Sequence, residues 1–482
     1  MIGFSLDIYH SSFVILPLSL VLLLASCAVG PNYKRPPVNA PADFRSASVH
    51  TTNSLAELPW WQMFQDNNLQ DLIRTALTNS YDLRIAISRV EQANAILVQN
   101  RASFFPQLGY AGTIQRNRNA VGGNAAFTGG ITTNFLVLDA NVSWELDLWG
   151  RIRRLNESAR AQFLATQEAR RDVMISVISR VAQAYFQLLA FDRQLEIAKR
   201  TTNSYGESLR IFSLQLSHGV ASKLETSSAE AALASAAATI PDLERQITIQ
   251  ENMINVLVGH NPGPVPRSHT LLQQLLPPEV PAGLPATLLE RRPDIREAEQ
   301  LLRSANAQVG VAVADYFPRL TLTGLLGKVS PEVSAITSGA ATAWSIAANL
   351  SGPIFQGGRL AGQYRQAQAL REQYLLQYRS TILNAFAEIS DALIANQKFA
   401  QVRVQQARAV DAYRTAVQIV NQRYLVGQSS YYEVLQEQLL LFPAENSLVQ
   451  TELNQLLTLV QLYQALGGGW QAESPAAPAR KH

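Results

Sequence analysis

The feature that most restricts how this chain folds is an internal duplication. Asp82, Arg84 and Ala86 recur as Asp294, Arg296 and Ala298, and Ala93-Asn94-Ala95 recurs as Ala305-Asn306-Ala307, in each case 212 positions later. Phe105-Pro106 and Leu108 return as Phe317-Pro318 and Leu320 at the same offset. Farther along, Gly150-Arg151 matches Gly358-Arg359, Tyr205 matches Tyr413, Gly219 matches Gly427, Ser222 matches Ser430 and Glu225 matches Glu433, now 208 positions apart. The first copy therefore carries four extra residues between Pro106 and Gly150. An ordered series of this kind marks a tandem structural repeat.

Each copy reads helix, two strands, very long helix, turn, helix. Before Gly150, Leu138, Ala140, Val142, Trp144, Leu146 and Leu148 alternate with Asp139, Asn141, Ser143, Glu145 and Asp147. This period of two, over about ten residues, matches a tilted membrane-spanning strand. In the second copy Trp344, Ile346, Ala348 and Leu350 alternate with Ala343, Ser345, Ala347 and Asn349. Partner strands begin at Pro106 and Pro318, where Leu320 and Leu322 are set against Arg319, Thr321 and Thr323. Gly122-Gly123-Asn124 and Gly129-Gly130 suit an exposed loop between partners. A soluble sandwich shows the same alternation. Four strands cannot close a barrel, however, and hydrocarbon does not tolerate open edges. Three chains would supply twelve strands, an even number within the range of outer-membrane barrels. Apolar faces would then meet lipid, and Asp139, Glu145, Asp147 and Arg319 would face a wet lumen.

After Gly150 and Gly358 the period changes. Val173, Val177, Val181, Ala184, Leu188, Leu195, Ala198, Tyr205, Leu209, Phe212 and Leu216 lie three, four or seven residues apart, a coiled-coil stripe. The stretch 152–217 holds no proline and one glycine, Gly206, so it predicts a rod of about 100 Å. Its copy spans 360–426. Each rod ends in a glycine turn, Ser217-His218-Gly219-Val220 and Val426-Gly427-Gln428-Ser429. Gly150 and Gly358 let a strand bend into a helix. In Arg291-Arg292-Pro293-Asp294, Pro293 starts a helix, Asp294 sits in its first turn and the arginines satisfy nearby carbonyls. Tyr205 and Tyr413 are read as packing residues.

Apolar residues make up 47% and charged residues 16%, which excludes a disordered chain. A net charge of +3 in 482 residues carries no nucleic-acid footprint. The six histidines are scattered, with no metal-ligand spacing, no catalytic triad and no nucleophile elbow. No catalytic residue, metal or cofactor is therefore expected. The single cysteine, Cys27, ends an apolar run from Phe13 to Ala25 that fits a signal-peptide core. Leu24-Ala25-Ser26-Cys27 resembles a bacterial lipobox, which makes Cys27 the lipidation site, and Ala28 in place of aspartate implies export to the outer membrane. Beyond residue 27 no apolar stretch of the roughly 18 residues of a spanning helix is read, so a crossing has to be a barrel.

These segments together resemble a family. VGPNYKRP after the lipobox, WWQMF from Trp60, WELDLWGRIRR at 144–154, LLERRPDIREAE at 288–299, ALGGGW at 465–470 and PIFQGGR at 353–359 are similar to the TolC-like outer-membrane efflux lipoproteins of resistance-nodulation-division pumps. The resemblance covers nearly the whole mature chain. It implies a mixed α/β membrane protein, a homotrimer whose 12-stranded β-barrel, four strands per chain, continues as a long periplasmic α-helical barrel. Trp60 to Leu77, Pro262 to Pro285 and the tail after Leu466 would form an equatorial part. It implies passive conduction of drugs or other small amphiphiles, with a periplasmic adaptor and an inner-membrane efflux transporter as partners besides outer-membrane lipid. Gly219 and Gly427 mark the adaptor-contact tips, and Arg423, Tyr424, Tyr432 and Glu433 match the periplasmic gate. Gln428, Ser429 and Gln436 stand where relatives carry acids, which argues against an acidic, cation-sensitive ring.

The layout expected is a signal peptide over 1–26, a lipidated segment over 27–59 and a first repeat over 60–260 (β-hairpin 106–148, helical hairpin 152–258). A Pro-rich linker over 261–285 leads to a second repeat over 286–466 (β-hairpin 318–355, helical hairpin 359–466) and a tail over 467–482. Two alternatives remain open at this point: the outlet of a type I protein-secretion system, and a non-conducting structural coiled-coil lipoprotein.

Overall fold

The computed structural model describes residues 28–41, 43–45, 58–119, 131–267, 269–274, 285–332, 334, 336–337 and 339–468. The segment read as a signal peptide, Cys27, the Gly-rich loop between the first two strands and residues 469–482 lie outside the described residues. In chain order the elements are α1 (Trp60–Met63), α2 (Asn67–Asn79), α3 (Tyr81–Ala102), β1 (Gln107–Asn119), β2 (Ile131–Leu146), α4 (Arg151–Ser217) and α5 (Lys223–Leu257). A 3₁₀ turn (Leu271–Gln273) and α6 (Pro285–Arg291) precede α7 (Pro293–Ala314), β3 (Arg319–Ser330), β4 (Thr342–Ser351), α8 (Arg359–Leu425) and α9 (Tyr431–Ala465).

The duplication is visible in the element lengths. Helices α3 and α7 both have 22 residues, α4 and α8 both have 67, and α5 and α9 both have 35. Register repeats too: Gln107 pairs with Ser143 and Arg319 with Ser351, which preserves the offset of 212 on one strand and 208 on the other. The four strands form one antiparallel sheet in the order β1-β2-β3-β4, leaving one edge each of β1 and β4 without a partner strand among the described residues.

Contacts divide the chain into two compact units. The first comprises Met1–Pro37, Arg89–Thr166 and Glu297–Tyr378, and so holds the sheet, α7 and the first turns of α4 and α8. Here the segment after Cys27 is strapped onto helix surfaces. Val29 N–H donates to Trp149 O at 3.0 Å, and the buried Arg154 donates to Val29 O, Gly30 O and Asn32 Oδ1 at 3.2, 3.2 and 2.8 Å. Gly150 turns the chain from strand to helix at φ +80°, as Gly358 does at φ +87°. A Cβ on Gly150 would lie 2.6 Å from the Cβ of Ala28, whereas nothing stands within 4 Å at Gly358. Gly150→Ala is therefore expected to lower the melting temperature more than Gly358→Ala, since both incur about 1–2 kcal/mol of left-handed strain and only the first adds a backbone clash.

Three of the four charges expected to face a lumen are also tied to helix ends. Asp147 lies past the end of β2, and its carboxylate accepts from the N–H groups of Ile152 and Arg153 at 3.0 and 2.9 Å, neutralising the positive end of α4. Glu145 forms a bidentate pair with Arg151 at 2.8 and 2.6 Å, and Arg319 pairs with Asp315 at 2.7 Å.

The second unit comprises Val38–Ser88, Gln167–Arg296 and Arg379–His482. Val177, Val181, Ala184, Leu188, Ala198, Tyr205 and Phe212 of the expected stripe are buried, and Leu453, Leu462 and Tyr463 of α9 are buried in the same unit. Contrary to the sequence reading, one stretch beyond residue 27 is long and apolar enough to cross a membrane. Helix α4 does hold an 18-residue window of mean hydropathy 1.4, but 67% of it is buried, because its apolar side chains pack on neighbouring helices. The arginine cluster behaves as expected: Arg292 donates to Ala465 O at 3.0 Å and pairs with Asp294 and Glu388 at 2.6 and 2.7 Å. Burial, and then the nearby Asp294, raise the pKa of Asp172, which lines the same cavity of about 590 Å³.

Candidate functional site

The two tips are built by one local design used twice. At the end of α4, Gly219 adopts φ +76° and the N–H of Val220 donates to Gln215 O at 2.9 Å. At the end of α8, Gly427 adopts φ +75° and the N–H of Gln428 donates to Arg423 O at 2.8 Å. Each glycine closes its helix in the left-handed conformation and the following N–H satisfies an orphan carbonyl. Each return helix then opens with a capping box, Ser222 with Glu225 and Ser430 with Glu433. These repeated residues therefore recur for helix-capping reasons.

The four gate residues have distinct surroundings. Arg423 donates to Gln428 O at 3.3 Å across its own turn. Tyr424 reaches the other hairpin, its hydroxyl donating to Gln215 Oε1 at 2.8 Å while its ring lies 5.9 Å from that of Phe212. Glu433 accepts from the Ser429 hydroxyl at 2.7 Å and from Ser430 N–H at 3.2 Å. Those hydrogen bonds, with the charge of Arg423, hold its carboxyl below the usual range. Tyr432 points outward at 72% exposure.

Behind the turns the two hairpins share one apolar cluster. Tyr205 and Phe212 of α4, Ala229, Ala232 and Ala236 of α5, Val420 of α8, and Tyr431, Val434 and Leu435 of α9 are buried together. Burial pushes the Tyr431 hydroxyl up to about 12, so the cluster stays uncharged across the physiological range. Around the turns the opposite holds, with Val220, Leu224, Leu425 and Val426 exposed. Sequence reading misses Gln215 and Tyr431, which adjoin Tyr424, and has Phe212 only as a stripe residue. It also misses Glu445, a buried carboxylate of α9 that accepts from Arg414 Nε and Nη2 at 3.1 and 2.9 Å and from Arg200 on its other oxygen. The signal available was an acid directly after the apolar run 439–444.

A family model described as Outer membrane efflux protein matches residues 72–260 and 284–468. The chain belongs to this family. The probable efflux pump outer membrane protein TtgC of Pseudomonas putida is 34% identical over 463 residues, 94% of this chain and 95% of that protein. The cation efflux system protein CusC of Escherichia coli O6:H1 is 33% identical over 466 residues, 95% of this chain and 99% of that protein. Among solved structures, the outer-membrane channel OprN superposes with a TM-score of 0.85 at 31% identity, covering 92% of this chain and 100% of that one. The Campylobacter jejuni CmeC outer membrane channel gives 0.85 at 26% identity, covering 92% and 95%. Like other members of the outer membrane efflux family, this chain is an outer-membrane channel component of an efflux system. Its four strands are one third of a trimeric barrel that continues into the periplasm as a helical barrel.

Proposed function

We propose that this family member is a passive outlet. An inner-membrane pump and a periplasmic adaptor would deliver small amphiphilic compounds into its tunnel, and the chain performs no chemistry on them. The observation that carries the reading is a sheet whose one face is apolar and exposed, with Leu108, Tyr110 and Ile114 at 85%, 89% and 86%, and whose outer edges await partner strands. Such a sheet is stable only when neighbouring copies close it against lipid. That TtgC and CusC carry efflux names for different cargo fits a conduit whose selectivity lies with the pump.

The gate sits at the tips, with Arg423, Tyr424, Tyr432 and Glu433 around the Gly427 turn and Gly219 beside it. The Tyr424 to Gln215 bond, with the apolar cluster behind it, joins the two hairpins of one chain at the tip. The exposed Val220, Leu224, Leu425, Val426 and Tyr432 form the surface offered to the adaptor, whose engagement would draw the hairpins apart. Cys27 carries the acyl anchor. Two residues on, Val29 is tied by its N–H to Trp149 O at the β2–α4 junction.

Single-channel recording in planar bilayers tests the gate. Tyr424→Phe removes one neutral hydrogen bond worth about 1 kcal/mol and should raise the ratio of open to closed states about fivefold. Tyr424→Ala, which also empties the aromatic contact, should raise it further. Unchanged open probability in both variants would remove Tyr424 from the gate.

A further inference from the structure

Charges in the four strands are sorted by face. The register pairs even-numbered positions with even-numbered positions throughout, as in Leu108 with Val142, Ala140 with Leu326, and Leu326 with Trp344. These positions share the apolar face that meets lipid. The charged residues on it are Arg116, Arg118 and Lys328, all basic. The opposite face holds Asp139, Glu145 and Arg319, and Arg319 is paired with Asp315.

Two of these basic residues adjoin, while Lys328, in register with Leu138 and through it with Gly112, lies four residues short of Arg116. Arg116 and Arg118 close β1 at its loop end, away from α3 and α4 and therefore on the exterior side of the membrane. Arg116 lies eight residues beyond Leu108, about 27 Å along the strand and about 20 Å in depth at a tilt near 40°. An outward apolar band stands about 25 Å tall, so, measured from Leu108, Arg116 lies in its upper part and Arg118, about 5 Å farther out, reaches its edge. Lys328 lies two residues before the end of β3, at the same end of the sheet, where its Nζ donates to Thr342 Oγ1 at 2.9 Å.

Both arginines are exposed, neither makes an ion pair within the described residues, and the residues opposite them, Asn134 and Thr132, are neutral. The Cα atoms of Arg116 and Arg118, two residues apart on one face, stand about 7 Å from each other. Each arginine presents the planar fork that fits a phosphate bidentately. We infer that Arg116 and Arg118 bind the phosphate groups of outer-leaflet lipid headgroups. The inference rests on the outer-membrane channel reading, which sets the lipid-facing side and the exterior end.

The test uses the full-length trimer in phosphatidylcholine vesicles doped with bisphosphorylated lipid A, with the lipid retained per trimer measured after gentle extraction. Retention should weaken roughly thirtyfold in the variant R116Q/R118Q. R116K/R118K should keep most of it. Dephosphorylated lipid A should bind wild type and R116Q/R118Q alike, and inorganic phosphate at the same concentration should not displace the lipid. Bilayer conductance of each variant verifies insertion, so that loss of retention cannot be misfolding. Equal retention by wild type and R116Q/R118Q, with conductance intact, overturns this inference alone, as does displacement by inorganic phosphate, which would make it a free-anion site. A wild-type chain that neither inserts nor conducts overturns the channel reading and this inference together.

Discussion

Replacing both Arg200 and Arg414 by methionine is expected to destabilise the helical region far more than the two single changes together. Glu445 is only 4% exposed and each of its oxygens accepts from a different arginine, one on each long helix. With one arginine gone, the other still compensates the charge, and because both guanidinium groups are about half exposed a single loss should cost about 1 kcal/mol. With both gone the carboxylate is buried and unpaired, a situation that costs about 3–5 kcal/mol. The excess over additivity is the coupling between the two helices through α9. Adding Glu445→Leu to the double variant should recover most of the loss, since apolar packing replaces the stranded charge. Denaturant unfolding followed by far-ultraviolet circular dichroism measures all four variants. Strictly additive losses, or no recovery with leucine, would show that the cluster does not bind the two long helices together.

The second large effect concerns neighbouring positions on one strand. Ala140→Arg places a guanidinium on the lipid face in the middle of β2, between Tyr110 and Leu326, where it costs about 2–4 kcal/mol per chain. Three symmetry-related copies multiply that cost, so assembled trimer should be almost lost from the membrane fraction. Asn141→Arg, one residue on, points to the opposite face and should leave assembly near wild type while changing conductance. Heat-modifiable trimer on gels reads the first effect and bilayer recording the second. Equal trimer yields from the two variants would contradict the assignment of faces.

Much of this fold is legible from the chain because its signals are periodic. The rods expected over 152–217 and 360–426 are α4 and α8 to within a residue at each end, since an unbroken heptad stripe and a closing glycine leave little freedom. Strand β2 is less legible: it begins at Ile131, seven residues before Leu138, because Leu136 and Val137 place apolar side chains on both faces and blur the period of two. The hydropathy of α4 escapes a reading by continuous runs, since polar residues interrupt its apolar window. At the tips, Glu433 is legible as the acid of a capping box, three residues after Ser430. Gln215, the partner of Tyr424, is not, because a neutral polar contact 209 positions apart leaves no trace in local pattern. The Arg200–Glu445–Arg414 cluster is half legible, as an acid in an apolar helix whose partners only folding reveals.

The central claim is that one chain contributes an unfinished sheet that copies of itself complete. Cysteine pairs placed on the free edges, Ala347→Cys on β4 with substitutions at Ala111, Thr113 or Gln115 on β1, test it by oxidation in intact outer membranes followed by denaturing electrophoresis. At least one pair should give a crosslinked ladder that stops at three chains and collapses to one on reduction. Chains that remain single for every pair, in protein that stays in solution without detergent, would contradict it.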